Sequence, residues 1–181
     1  MKKIALVAGL AAAVAGTASA DVTFTFTNQT WAGFGFANLN AAYGGFTGIL
    51  TGVSVNATLN SSTNFTYADD LCVYVDVPPL SFGGLLQIGG FTDLQAAQRL
   101  SWANGGSSAA GTTVIDSKSV NAISFSGTSA DAIIYVGNGY GASGTSGNWT
   151  GSITLIGVNA VPAPGAIALV GLAGLAGRRR R

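Results

Sequence analysis

The sequence predicts an all-β protein built as an antiparallel β-sandwich. Apolar and polar residues alternate with period two in short runs. Clusters of glycine, serine and asparagine separate those runs. No stretch between the two ends of the chain repeats its apolar residues at helical spacing for more than a turn or two.

The strands follow in order. Val22-Thr23-Phe24-Thr25-Phe26-Thr27 alternates strictly, and so does Val53-Ser54-Val55-Asn56-Ala57-Thr58-Leu59. Leu71 to Val77 puts Leu71, Val73, Val75 and Val77 on one face and Cys72, Tyr74 and Asp76 on the other. Strand-like runs recur at Gly84 to Ile88, Thr112 to Ile115, Val120 to Phe125, Ala132 to Val136 and Trp149 to Val158. Turn signals stand between them at Gly44-Gly45, Gly89-Gly90, Asn104-Gly105-Gly106 and Gly137 to Asn148. Asp93 to Gln98 is expected to start one helical turn. Regular short strands with such turns read as a sandwich.

The two ends differ from this pattern. Met1-Lys2-Lys3 is a short basic opening, and Ile4 to Gly16 is apolar. Ala18-Ser19-Ala20 fits a small-x-small cleavage site before Asp21, so residues 1–20 read as a secretory signal peptide. At the other end, Val161-Pro162-Ala163-Pro164-Gly165 opens an uncharged run to Gly177, and Arg178, Arg179, Arg180 and Arg181 follow. Proline breaks the chain away from what precedes it. As a helix, Gly165 to Gly177 reaches about 20 Å, short of a hydrocarbon core of about 30 Å. A marginal span with a basic stop suits transient retention at a membrane better than a permanent anchor. Lys2-Lys3 and the four arginines both favour the cytoplasm, which places everything between them outside.

The order of these C-terminal parts resembles the PEP-CTERM sorting signal of Gram-negative bacteria, in a VPAPGA form where Ala163 replaces the eponymous glutamate. The resemblance covers Val161 to Arg181. It implies cleavage near the Pro-x-Pro by an exosortase-type membrane protease. The Sec translocon and signal peptidase would act first, leaving an inner-membrane intermediate held by a hydrophobic sorting helix. Delivery to the cell surface or extracellular matrix would follow. The organisation expected is a signal peptide over 1–20, a sandwich domain over 21–160 and a sorting signal over 161–181.

Between the signals lie 140 residues, one domain's worth. That part keeps Arg99 and Lys118 against seven aspartates, a formal charge of −5. A mildly acidic domain argues against nucleic acid as a partner. Cys72 is the single cysteine, so no intrachain disulfide forms. It reads as a buried thiol.

A second likeness lies inside the domain. Phe65-Thr66-Tyr67-Ala68-Asp69-Asp70-Leu71 leads into Val73-Tyr74-Val75, and Gly147-Asn148-Trp149 opens the last strand. These patches resemble the P domain that follows the catalytic domain of proprotein convertases. The histidine of that family's pattern is missing. The resemblance implies a jelly-roll sandwich with no catalytic role of its own.

The chain has no histidine and no glutamate. No Ser-His-Asp triad or Cys-His pair can be built, and a His- or Cys-based zinc site is excluded. Glycosidase chemistry needs two carboxylates flanking a bond, and the adjacent Asp69 and Asp70 would point to opposite faces of a strand. Ser117-Lys118-Ser119 reads as a solvated edge. The expectation is a protein that is not an enzyme. Calcium is the cofactor that the aspartates could serve, through Asp69, Asp70 and Asp76 with Asn138 and Asn148 in a glycine-rich loop. The competing reading has Asp69 capping a turn and Asp70 starting a strand. Trp31 and Trp102 could offer a stacking platform for a polysaccharide, or they could pack in the core.

The function expected is an exported structural protein of the cell surface or of an exopolysaccharide matrix. The alternatives are a non-catalytic module binding polysaccharide or protein, and a secreted hydrolase.

Overall fold

The computed structural model describes residues 21–77 and 80–161. The expected signal peptide, with Ala18 and Ala20, lies outside the described residues, as does the sorting segment from Pro162, Ala163, Pro164 and Gly165 to Arg178–Arg181.

The fold is an all-β sandwich. One sheet holds β1 (Val22–Ala32), β3 (Phe46–Thr63), β7 (Thr113–Ser126) and β9 (Ser146–Ala160), in the order β1-β9-β3-β7. The other holds β2 (Phe36–Asn38), β4 (Leu71–Asp76), β5 (Leu86–Ile88), β6 (Gln98–Leu100) and β8 (Ile133–Asn138), in the order β2-β8-β4-β5-β6. Neighbours run antiparallel except β5 and β6. Early strands sit beside late ones: β1 beside β9, β2 beside β8, β3 between β9 and β7. This nested pairing is the jelly roll.

Alternation explains the core. Val53, Val55, Ala57 and Leu59 of β3 and Trp149, Ile153 and Leu155 of β9 point inward and are buried. Leu71, Val73 and Val75 of β4 face them with Ile134 and Val136 of β8. Each such side chain contributes roughly 1.5–3 kcal/mol by leaving water. The outward face of the first sheet carries Thr, Ser and Asn, which bond one another across strands. Asn60 donates through Nδ2 to Asn148 Oδ1 and Thr150 Oγ1, both at 2.8 Å.

The outward face of the second sheet is covered as well. The chain from Leu80 to Ala97 folds back over Cys72, Tyr74 and Tyr135 and lays the buried Leu94 against them. Tyr74 anchors this cover, its hydroxyl donating to Ser81 O at 2.8 Å and accepting from the Gly84 N–H at 2.7 Å. The buried Gln87 donates to the Gly89 and Thr92 carbonyls and accepts from the Leu94 N–H. Strand β4 is therefore buried on both faces, whereas the alternation of Leu71 to Val77 predicts one. Burial pushes the Cys72 thiol far up, so it stays protonated.

The structure differs from the sequence reading elsewhere too. Asp93 to Gln98 forms no helical turn: Asp93 Oδ1 accepts from the Gln95 N–H, and Gln95 takes a φ of 56°. That is an Asx turn, incompatible with a right-handed helix at Gln95. The runs expected at Thr112 to Ile115 and Val120 to Phe125 fall in one continuous strand, β7, which begins at Thr113. A short helix, α1 (Leu39–Tyr43), has no counterpart in the apolar periodicity; Asn38 caps it by accepting from the Ala41 N–H, and Gly44 ends it at φ 75°. Val77 lies past the end of β4 and is exposed.

Both ends of the described chain leave the same end of the sandwich. Asp21 Oδ1 accepts from the Gly157 N–H at 3.1 Å, and the Val161 N–H donates to Gly45 O at 3.0 Å. The opposite end gathers Ala32, Thr63, Leu71, Asn138 and Ser146, where β1, β3 and β8 finish and β4 and β9 begin. Among the described residues no helix is long and apolar enough to cross a membrane.

Candidate functional site

The end far from Asp21 and Val161 carries an open cleft. After β3 the chain turns through Asn64 and Phe65, both at positive φ (52° and 59°). A phenylalanine in that region is strained, because its Cβ crowds the backbone. The turn leaves Phe65 77% exposed and Tyr67 41% exposed. A 3-10 turn over Ala68–Asp70 follows and delivers the chain into β4.

Two indoles fix this turn from the core side. Trp149 Nε1 donates to Ala68 O at 3.2 Å, and Trp102 Nε1 donates to Leu71 O at 2.7 Å. Two glycines fix it from the other side. The Gly90 N–H donates to Asp69 O at 2.9 Å and the Gly139 N–H to Asp70 O at 2.8 Å. The glycines also touch each other: a Cβ on Gly90 would meet Gly139 Cα at 2.9 Å. Only two residues without side chains can cross so closely, and Gly90 also needs its φ of 80°. The crossing sets Phe91 beside Tyr140, edge to face at 5.3 Å.

The result is a cleft of about 330 Å³ lined by Tyr67, Asp69, Asp70, Phe91, Arg99 and Trp102 among others. A smaller lobe of about 130 Å³ continues it between Phe65, Tyr67, Asp70, Phe91 and Tyr140. Phe91 is 74% exposed on its rim.

Asp70 lies at the junction of the two lobes and is buried. Its Oδ2 accepts from the Tyr67 N–H at 2.7 Å. Burial pushes its carboxyl up to about 6; bonds from the Tyr67 and Phe91 backbones pull it down, and the neighbouring Asp69 charge raises it further. Asp69 is half-buried and is raised by burial too. Neither carboxylate has a salt bridge among the described residues. Arg99 is engaged elsewhere, 3.7 Å from Asp93 Oδ2 and donating to Phe91 O at 3.1 Å.

The candidate residues named from the sequence are dispersed in the fold. Asp76 stands at the far end of β4 from Asp69 and Asp70, a strand of six residues or about 20 Å away. There its Oδ2 accepts from the Ser81 N–H and hydroxyl. The three aspartates do not converge, and among the described residues no three His, Cys, Asp or Glu side chains are placed to share a metal ion. Asn138 ends β8 and Asn148 lies within β9, so neither sits in a loop. Asp70, not Asp69, holds the turn. Trp31 and Trp102 are buried and are no exposed platform. Trp31 packs between Phe26 at 5.3 Å and Trp149 at 5.9 Å. Trp102 reaches the cleft as part of its wall.

The exposed aromatics at the cleft are Phe65, Tyr67 and Phe91, which the sequence reading does not single out as a surface; Phe34 and Phe82 are exposed elsewhere. The available signal is their company: Phe65 follows Asn64 and Phe91 follows Gly90, both turn residues, rather than standing within an alternating run. Comparison with protein families, with curated proteins and with solved structures finds no match for this chain.

Proposed function

We propose that the chain is an exported structural protein of the cell surface or extracellular matrix, and that its sandwich holds matrix polysaccharide in the aromatic cleft. The single observation behind this reading is a polarity of the fold. Asp21 and Val161, where the two export signals join, leave one end of the sandwich, and the cleft opens at the other. Strand β9 spans 15 residues, on the order of 45 Å at about 3.3 Å each. A protein retained at a membrane by its C-terminal segment would present the cleft outward, away from the lipid.

The sorting reading rests on Val161 to Gly165 and Arg178 to Arg181, with an exosortase-type protease as the partner. The binding reading rests on exposed aromatic faces around buried carboxylates, the arrangement that stacks sugar rings and orients them by hydrogen bonds. A non-catalytic role fits a chain without histidine or glutamate. Intact-mass measurement on the surface fraction tests the sorting: the mature chain should begin at Asp21 and lack Arg178 to Arg181. Co-sedimentation with the producer's own exopolysaccharide tests the binding, and Phe91→Ala should weaken it. Retention of all four arginines on surface-delivered protein counts against the first half, and undiminished sedimentation of Phe91→Ala against the second.

A further inference from the structure

The cleft says more about its ligand than that it is a sugar. Its walls are aromatic faces, but its floor is acidic. Asp69 and Asp70 are adjacent, one half-buried and one buried, and neither is ion-paired among the described residues. Buried charges in proteins are ordinarily paired. Two carboxylates, Asp69 and Asp70, and one guanidinium, Arg99, line the cleft, and the surrounding domain carries −5 overall. A neutral glycan would leave that charge unanswered.

A hard metal cation would answer it poorly. Calcium takes six to eight oxygen ligands, roughly, and this cleft offers aromatic rings where those oxygens would have to be. An organic ammonium group suits both features, because carboxylates attract it and ring faces attract it as well. Tyr67, Phe91 and Tyr140 line the smaller lobe together with Asp70.

We infer that the ligand is a polysaccharide bearing free amino groups, held at its amines by Asp69 and Asp70 and on its ring faces by Tyr67, Phe91 and Tyr140. This rests on the polysaccharide reading above and narrows it to an amino-sugar polymer that is at least partly unacetylated. The titratable and charged groups that face Asp70 are Asp69, Arg99, Cys72, Tyr67 and Tyr140. Arg99 is the cation among them, and its pairing with Asp93 leaves the floor net negative.

The test compares four probes on the full chain purified in detergent, by calorimetry just above the pH of about 6 at which the Asp70 carboxyl ionises. They are a β-1,4-glucosamine hexamer, its fully N-acetylated counterpart, a cellulose hexamer and an oligolysine peptide. The glucosamine hexamer should bind about tenfold or more tightly than either neutral sugar, and the preference should shrink with salt. Asp69→Asn, which keeps the side chain's shape, should erase the preference while leaving residual binding to the neutral sugars. Phe91→Ala should weaken all sugar binding alike. Equal affinity for the three sugars would overturn the amino-sugar assignment and leave the polysaccharide reading standing. Binding to none of them would overturn both. Tighter binding to oligolysine than to glucosamine would reassign the cleft to a basic protein segment and overturn the inference.

Discussion

The indole N–H of Trp149 reaches the carbonyl of Ala68 at 3.2 Å, joining the central strand of one sheet to the turn that carries Asp69 and Asp70. Trp149 is fully buried, packed against Trp31, and its strand β9 lies between β1 and β3. The cleft floor is thus tied to an inner strand of the first sheet.

Trp149→Phe tests that tie. The variant keeps most of the apolar volume but leaves the Ala68 carbonyl without its indole partner and opens a small cavity. Together these should destabilise the fold by about 2–4 kcal/mol. Urea unfolding gives the number. Binding at the cleft should weaken beyond what the unfolded fraction explains, since the turn loses one of its two indole anchors. A variant with normal affinity would show that the glycine crossing alone holds the turn.

Phe65 separates stability from binding. Its positive φ strains a bulky L-residue by roughly 1–2 kcal/mol, and glycine adopts that region freely at an entropic cost of about 0.5–1 kcal/mol. Phe65→Gly should therefore stabilise the protein slightly, by up to about 1 kcal/mol, while removing an exposed ring from the smaller lobe. Raised melting temperature with reduced sugar affinity is the expected pair of results. Lowered stability would mean that the ring packs in a way its 77% exposure does not suggest.

Asp70 gives a pH signature whose sign is fixed by burial. Its carboxyl ionises near 6 in the folded chain, against an ordinary value of 3.8. Between those values the folded state holds a proton that the unfolded state has released, so stability falls as pH rises through the window. Above it, the buried charge costs up to about 3 kcal/mol. Asp70→Asn, which keeps an acceptor for the Tyr67 N–H, should flatten the decline and be the more stable protein at neutral pH. Desolvation raises the Asp116 and Asp131 carboxyls, but their several hydrogen bonds together outweigh it and pull both down, which contributes the opposite slope. They contribute it equally to both proteins, so the difference isolates Asp70. A cationic ligand should lower the Asp70 carboxyl and expel a proton on binding. A calorimetric enthalpy that varies with buffer ionisation would show it.

Much of the sandwich was legible because its inner face is apolar and its outer face wet. Val22 to Thr27 and Val53 to Leu59 alternate for that reason, and both are strands. Strand β7 reads as two pieces because Asp116-Ser117-Lys118-Ser119 interrupts its apolar pattern. As the edge strand of its sheet it needs little apolar surface there. The cover over Cys72 and Tyr74 was not legible, since it depends on Gln87 and Tyr74 bonding a segment that has no periodicity. The cleft was hidden for a similar reason. Phe65, Phe91 and Tyr140 come from three connections far apart in sequence, and the crossing of Gly90 and Gly139 together with the two indole anchors makes them neighbours. The aspartates read as metal ligands because residue type is visible in a sequence and convergence is not.

The placement of Val161 at one end and the cleft at the other also sets how the molecule bears load. A pull between a C-terminal tether and a ligand gripped at the far end runs along β9, which is hydrogen-bonded on both flanks for most of its length. The bonds to β1 and β3 are then strained in shear and share the force, rather than opening one after another as they would in a peel. For a protein that links a surface to a matrix, the central strand would serve as a tension member.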